Sequence, residues 1–324
     1  DKNQTYYWRV SANGGSSSGT WGPIIKFKCF IPSGISTLSL WLKADKGVTL
    51  SGQNVTEWKD QSGKNNHLSQ SVTDSQPTKV DNVLNGKPVV RFDGVNDYIS
   101  QNIGNIYAQP NNFFVLWKIS ENTTQNHQLF DGLVLTERNS LFWRIQDNTI
   151  RMTSSATSSI VMNKTIPFNF ILSTSIFNSA SSQYYENGII KSGAVPQGLY
   201  QCNGLIIGSN VLYSSALKGD IAEFLLYSST ILTNEERQLI ERYLASKYTN
   251  SYVNLGKDRK INDLLCNVKI DASSIYNNYL WSTGATTASI NVSSNGTYWV
   301  SVTDRFGYTS SDTVEVIIPN IKLN

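Results

Sequence analysis

Residues 219–248 read GDIAEFLLYSSTILTNEERQLIERYLASKY, and two different periodicities meet inside this stretch. Ile221 to Tyr227 is a short apolar run of strand length. Thr233-Asn234-Glu235-Glu236 then has the form of a capping box, in which the Thr hydroxyl accepts from the Glu236 amide and the Glu236 carboxylate reaches back. Leu239, Ile240, Tyr243 and Leu244 follow at helical spacing on one face. A strand that runs directly into one amphipathic helix predicts a sheet with a single helix laid against it, a structural device without a chemical role.

Outward from this stretch, residues 31–250 contain short strand-like runs separated by turn signals. They include Leu38 to Leu42, Val89 to Phe92, Phe113 to Ile119, Leu141 to Ile145, Phe170 to Ile176 and Leu205 to Ile207. Phe113-Phe114-Val115-Leu116-Trp117 is apolar at successive positions, as a strand covered on both faces requires. Asn187-Gly188, between Tyr184-Tyr185 and Ile189-Ile190, is the strongest hairpin signal, because both central residues accept positive φ. Many short strands with turn punctuation predict an all-β sandwich or jelly roll.

Within this block, LWLKAD (40–45), VTEWKDQSGKNNHLSQ (55–70), QPTKV (76–80) and LNGKPVVRFDGVNDYIS (84–100), with the closing strand and helix at 219–248, resemble the laminin-G-like, concanavalin A-like jelly rolls of bacterial surface proteins. That resemblance implies domains that mostly bind carbohydrate or protein, many of them with calcium. It also implies a minority of glycosidases and lyases.

Both flanks read as separate small modules. YYWRV (6–10) and GTWGPIIKF (19–27) resemble the last two strands of a fibronectin type III module, so residues 1–30 are expected to be the closing hairpin of an incomplete module. Ile31 to Gly34 and Asn250 to Asn262 read as linkers. Residues 251–324 contain YLWSTGATTASINVSSNGTYWVSVTDRFGYTSSDTVEV (279–316), which resembles the immunoglobulin-like or PKD-like repeats of Bacteroidetes secreted proteins. The resemblance implies Trp281 as the central core residue and Tyr298 as a corner tyrosine. A Gly-Cys pair precedes the final strand of such repeats; here it is Gly307-Tyr308, so Cys266 is expected to be unbridged within its module.

Composition narrows the function. The net charge is +3 with charged residues at 16 %, and no dense Lys/Arg cluster appears, which argues against nucleic acid. No apolar run approaches the length of a membrane span. The three cysteines (Cys29, Cys202, Cys266) are far apart and have no metal-ligand spacing.

A glycosidase needs two carboxylates flanking one bond, commonly at alternate positions of a strand. No such pair appears, and Asp220 and Glu223, three apart, are expected on opposite faces. His67 and His127 read as solvated loop residues. No catalysis is therefore expected. Calcium has better support, from oxygen-rich loops that carry Asp60 in KDQSGKNN and Asp93 and Asp97 in FDGVND; the alternative is that these carboxylates only build turns. Sugar binding needs exposed aromatic faces beside polar groups. Candidates are Trp143 with Arg144 and Tyr184 with Tyr185, then Tyr107, Tyr200 and Tyr213, whereas Trp41 and Trp117 are expected in the core.

The expected function is a non-catalytic carbohydrate-binding or adhesion segment of a large extracellular, cell-surface bacterial protein. Its partner would be an extracellular glycan or surface ligand. The architecture resembles type IX secretion substrates such as gliding-motility adhesins, which implies secretion or surface-attachment machinery as a further partner. The alternative is a structural spacer in a stalk, or accessory domains of a secreted polysaccharide-degrading enzyme.

Overall fold

The computed structural model describes residues 5–8, 11–14, 17–21, 25–28, 30–121, 124–154, 159–163, 169–195, 198–249, 253–260 and 267–317. Among the described residues the protein is all-β apart from one α-helix and short 3-10 turns, and its centre is a jelly-roll-like unit: a large antiparallel sheet that curls into two facing halves.

The first half is built on the strands Asn111–Ile119 and Lys218–Tyr227, which pair along their whole length. Ile171–Phe177, Ser182–Glu186 and Ile189–Val195 extend it on one side. On the other side Lys218–Tyr227 pairs first with Lys87–Asp93 and then with Leu38–Lys43. The second half runs through His127–Asp131, Ser140–Arg144, Thr149–Thr153 and Ile160–Asn163.

Phe113, Val115 and Trp117 enter the core between the halves with Trp58, Phe130, Trp143 and Phe224. Phe114 and Leu116 point the other way, into a second core under the helix Asn234–Tyr248 (α1), with Leu225, Tyr227, Ile240 and Leu244. The run Phe113–Trp117 is thus covered on both faces, and the helix contributes the cover. Its capping box forms, with Glu236 N donating to Thr233 Oγ1 and Thr233 N to Glu236 Oε2. Asn187 and Gly188 both have positive φ, +50° and +75°, at the hairpin tip.

One irregularity changes how the acids are oriented. Opposite the step from Leu116 to Trp117, Ala222 is an extra residue, a β-bulge. It reverses the alternation, so Asp220 and Glu223 share the helix side of the sheet. The expectation that they face opposite sides is corrected by this single inserted residue.

Four described strands precede residue 30 and pair antiparallel outside the jelly-roll sheet: Thr5–Trp8 with Ile25–Lys28, and Ser11–Gly14 with Ser17–Trp21. The stretch Ile31–Gly34 is not a free linker, because Pro32 is buried and its carbonyl accepts from the Tyr227 hydroxyl at 3.1 Å.

The C-terminal module has its own core around Trp281, with Val300, Val302, Val314 and Val316. Tyr298 makes the corner bond, donating to the Ser294 carbonyl at 3.0 Å. The described part of the expected second linker belongs to this module: Val253 and Leu255 are buried in its core, and Arg259–Lys260 pairs in parallel with Thr309–Ile317. Phe306, from a loop of this module, is only 1 % exposed and lies in the core beneath α1. Cys202 is a free, buried thiol, while Cys29 and Cys266 lie outside the described residues.

Candidate functional site

Lys87–Asp93 ends in a turn, Asp93–Asp97, that leads into Ile99–Ser100. The turn is built by its two carboxylates. Asp93 Oδ1 accepts the Val95 amide at 2.7 Å and the more distant amides of Asn96 and Asp97, while Asp97 Oδ2 accepts the Asp93 amide at 2.9 Å. Gly94 (φ +78°) is required here, because a Cβ would stand 2.5 Å from Lys218 Cβ. Burial, and secondarily the charge of Asp93, pushes the Asp97 carboxyl up to about 7.

Two cavities flank this turn. The larger, about 720 Å³, is polar and lined by Asp93, Asp97, Asp74, Arg91, Lys118 and Lys218 among others. Its cations are already engaged. Arg91 donates through Nε and a terminal nitrogen to Asp220, Lys118 lies 3.4 Å from the same buried carboxylate, and Lys218 pairs with Glu121.

The smaller cavity, about 200 Å³, lies between the turn and the loop 208–217, and is lined by Ser75, Val95, Asn96, Tyr98, Ser209 and Tyr213. Tyr98 and Tyr213 pack with ring centroids 4.9 Å apart and planes tilted by 55°. Tyr213 is 59 % exposed, at a loop position with φ +56°. For a tyrosine that backbone costs about 1 kcal/mol or more. The loop compensates through Asn210, whose carbonyl accepts Tyr213 N and whose side chain accepts Ser214 N. Its start is fastened to the sheet by Val211 N, which donates to the buried Asp131. Burial raises the Asp131 carboxyl to about 7 although Arg138 stands 3.1 Å away.

The exposed Tyr213, packed on the half-buried Tyr98, and the carboxylate turn therefore present an apolar ring face beside hydroxyl, amide and carboxylate groups. That combination fits a sugar, whose pyranose ring has an apolar C–H face and a polar rim.

Of the residues expected from sequence, the fold brings Asp93 and Asp97 together and sets Tyr213 nearby. Tyr200 is half-buried, while Trp143, Tyr184, Tyr185 and Tyr107 are corrected. Trp143 and Tyr184 are fully buried and Tyr185 nearly so, because the strand faces that carry them are covered. The Tyr184 hydroxyl is shared with Ser173, and Tyr185 lies beneath the Arg237 guanidinium at 4.1 Å. Arg144 remains partly exposed but bonds within its own hairpin, to Gln146 and Asp147. Tyr107 is buried against Gln101.

Asp60 stands apart from the turn, with both oxygens filled by protein donors: the amides of Trp41, Ser62 and Asn66 and the Ser62 hydroxyl. That is the turn-forming arrangement. His127 is a buried strand residue, not a loop residue; its Nδ1 accepts the Lys218 amide, and burial lowers its pKa to about 4. His67 likewise accepts the Asp60 amide. Among the described residues no three His, Cys, Asp or Glu side chains gather as a metal-binding group, and no helix is long and apolar enough to cross a membrane.

Tyr98 was missed. The available signal was its place between Asp97 and the first core residue, Ile99, which turns it outward.

No family model and no curated protein sequence matches the chain. Among solved structures, it is similar to domain 4 of AbnA, an extracellular GH43 arabinanase from Geobacillus stearothermophilus, in complex with arabinotriose (13 % identity, TM-score 0.49, 62 % of this chain and 97 % of that one). It is also similar to the botulinum neurotoxin serotype D ligand-binding domain in complex with N-acetylneuraminic acid (14 %, 0.48, 83 % and 71 %). A third likeness is to Trypanosoma rangeli sialidase (13 %, 0.46, 63 % of this chain), of which the chain spans 32 %.

Proposed function

We propose that the chain is a non-catalytic glycan-recognition segment of an extracellular bacterial surface protein, and that its jelly roll holds sugar between the Asp93–Asp97 turn and the Tyr98–Tyr213 pair. The observation that carries this reading is Tyr213: a large aromatic residue held exposed, on a strained backbone, beside a second tyrosine at the rim of the smaller cavity. Its partners in that setting are an extracellular glycan or surface ligand and the machinery of secretion or attachment.

The acids support the absence of catalysis. Glycoside hydrolysis needs two carboxyl groups flanking a gap that the scissile bond can enter. Asp93 and Asp97 instead hold each other's backbone, and Asp220 and Glu223 are buried in ion pairs. Calcium belongs to the proposal at the Asp93–Asp97 turn alone, where a cation would offset the burial and, secondarily, the Asp93 charge that raise Asp97.

A glycan array on the full chain, with and without EDTA, tests this reading. Tyr213→Asn is the matched variant, since Asn tolerates positive φ. The expected result is binding by the wild type that falls about ten-fold in the variant, the scale of one lost aromatic contact. Undiminished binding by the variant, or release of reducing ends from any polysaccharide, would sink it.

The spacer reading has its own support in Phe306, whose burial beneath α1 fixes one module against the next as a stalk requires.

A further inference from the structure

The C-terminal module exposes a second aromatic surface. In the strand Gly296–Thr303, Val300 and Val302 turn into the core, and Thr297, Trp299 and Ser301 turn outward. The core already holds its own tryptophan, Trp281, at 1 % exposure, with its indole N–H donating to the Thr287 carbonyl. Trp299 is therefore surplus to packing, and it is 41 % exposed.

The sheet register surrounds Trp299 with hydroxyl side chains. Thr313 is directly opposite, and Ser301 in the next row stands between Leu280 and Ser311. On the other side Ser282 brackets the residue: its amide donates to the Trp299 carbonyl at 2.9 Å and its hydroxyl accepts the Trp299 amide at 3.3 Å. Leu280 is 50 % exposed and widens the apolar centre. On the three antiparallel strands of this face, the one outward-facing charge among the described residues is Glu315, at the margin opposite Thr297.

We propose that this face is a binding site for neutral polysaccharide, with the Trp299 indole stacked on a sugar ring and the serine and threonine hydroxyls bonding its rim. A hydroxyl-rich surface around a single indole, with the acidic Glu315 as the outward charge on these three strands, favours an uncharged ligand over an anionic polymer. The site is independent of the jelly-roll site. Because the module is docked through Phe306, the two sites sit on one body and engage a long polymer with multivalent gain.

The test is affinity electrophoresis of the full chain in gels containing glucomannan, mixed-linkage β-glucan, galactomannan or xylan, with pull-down on cellulose and chitin and with polygalacturonate as the charged control. At least one neutral polymer is expected to retard the wild type. Trp299→Ala should weaken that binding five- to ten-fold, roughly the worth of one aromatic stacking contact, while Trp299→Phe retains most of it and Tyr213→Asn leaves the Trp299-dependent part intact. An unchanged melting curve for Trp299→Ala separates lost binding from lost fold. Wild-type affinity in Trp299→Ala, binding to none of the neutral polymers, or a Trp299 effect confined to polygalacturonate overturns the proposal. So does concentration-dependent self-association of the wild type that Trp299→Ala abolishes, which would assign the face to a second copy. A null result with Tyr213→Asn touches only the jelly-roll site.

Discussion

The indole N–H of Trp41 donates to Glu223 Oε1 at 2.5 Å, joining the strand Leu38–Lys43 to the bulged strand Lys218–Tyr227 beneath α1. Three groups from the helix complete the shell: the Tyr243 and Tyr248 hydroxyls and the Lys247 ammonium. Glu223 has no exposed surface, and four donors meet its carboxylate, as a buried acid requires. The bulge at Ala222 is what turns this carboxylate toward the helix.

Glu223→Ala should therefore cost about 3 kcal/mol or more, because it leaves a lysine and three polar groups without their shared acceptor. Glu223→Gln, which keeps an acceptor but loses the charge pair, should cost less. Urea denaturation of both variants checks the order; equal costs would mean that the hydrogen bonds from Trp41, Tyr243 and Tyr248 contribute nothing beyond the ion pair to Lys247.

Phe306 links the two larger modules. Phe306→Ala should remove about 3 kcal/mol from the joint, the usual range for a buried Phe truncated to Ala. Calorimetry is then expected to show the jelly roll and the C-terminal module melting separately where the wild type melts cooperatively. A single unchanged transition would show that the contact does not couple them.

Much of this fold could be read from residue order. Phe113–Trp117 announced its two covered faces, and the Thr233–Glu236 box set the helix start, because both depend on near neighbours in the chain. The orientation of Asp220 and Glu223 was not legible, since one inserted residue reverses a strand's alternation without altering its composition. The aromatic candidates failed for a related reason. Alternation separates two faces of a strand but does not say which of them another element covers, so Trp143 and Tyr184 looked the same as Tyr213. His127 was misplaced because Asn and Gln neighbours mark a loop only when they are solvated, and here Gln128 is buried with it. The Tyr98–Tyr213 pair joins residues more than a hundred positions apart, and only the folded chain brings them together.

The raised carboxyls give a definite pH dependence. With a folded pKa near 7 against an ordinary 3.8, Asp97 holds its proton in the native state while the unfolded chain has lost it. Its contribution therefore favours the fold below about pH 4 and is withdrawn as pH rises toward 7. Asp131 acts in the same sense, and His127, lowered to about 4, acts in the opposite sense between about 4 and 6.5. Asp97→Asn removes one of these groups while keeping an acceptor for the Asp93 amide. The difference between variant and wild-type stabilities should grow in the variant's favour from pH 4 to pH 8. A difference that is constant with pH would mean that Asp97 ionises normally.

Calcium acts on the same group with the opposite sign. Asp60 has no free acceptor, so a cation bound by this chain through the loop carboxylates would have to draw on Asp93 and Asp97. Calcium binds the ionised carboxyl, so its affinity should rise with pH through about 7 as Asp97 loses its proton. Binding to the native state alone raises stability by about 2.7 kcal/mol when calcium reaches a hundred times its Kd. Melting curves of the full chain in calcium and in EDTA should therefore diverge at pH 8 and converge at pH 5.5, and Asp97→Asn should abolish the difference. Superimposable curves at pH 8 would leave the two carboxylates as turn builders, with the glycan proposal resting on the tyrosine pair alone. A calcium shift that survives Asp97→Asn would place the ion elsewhere in the molecule.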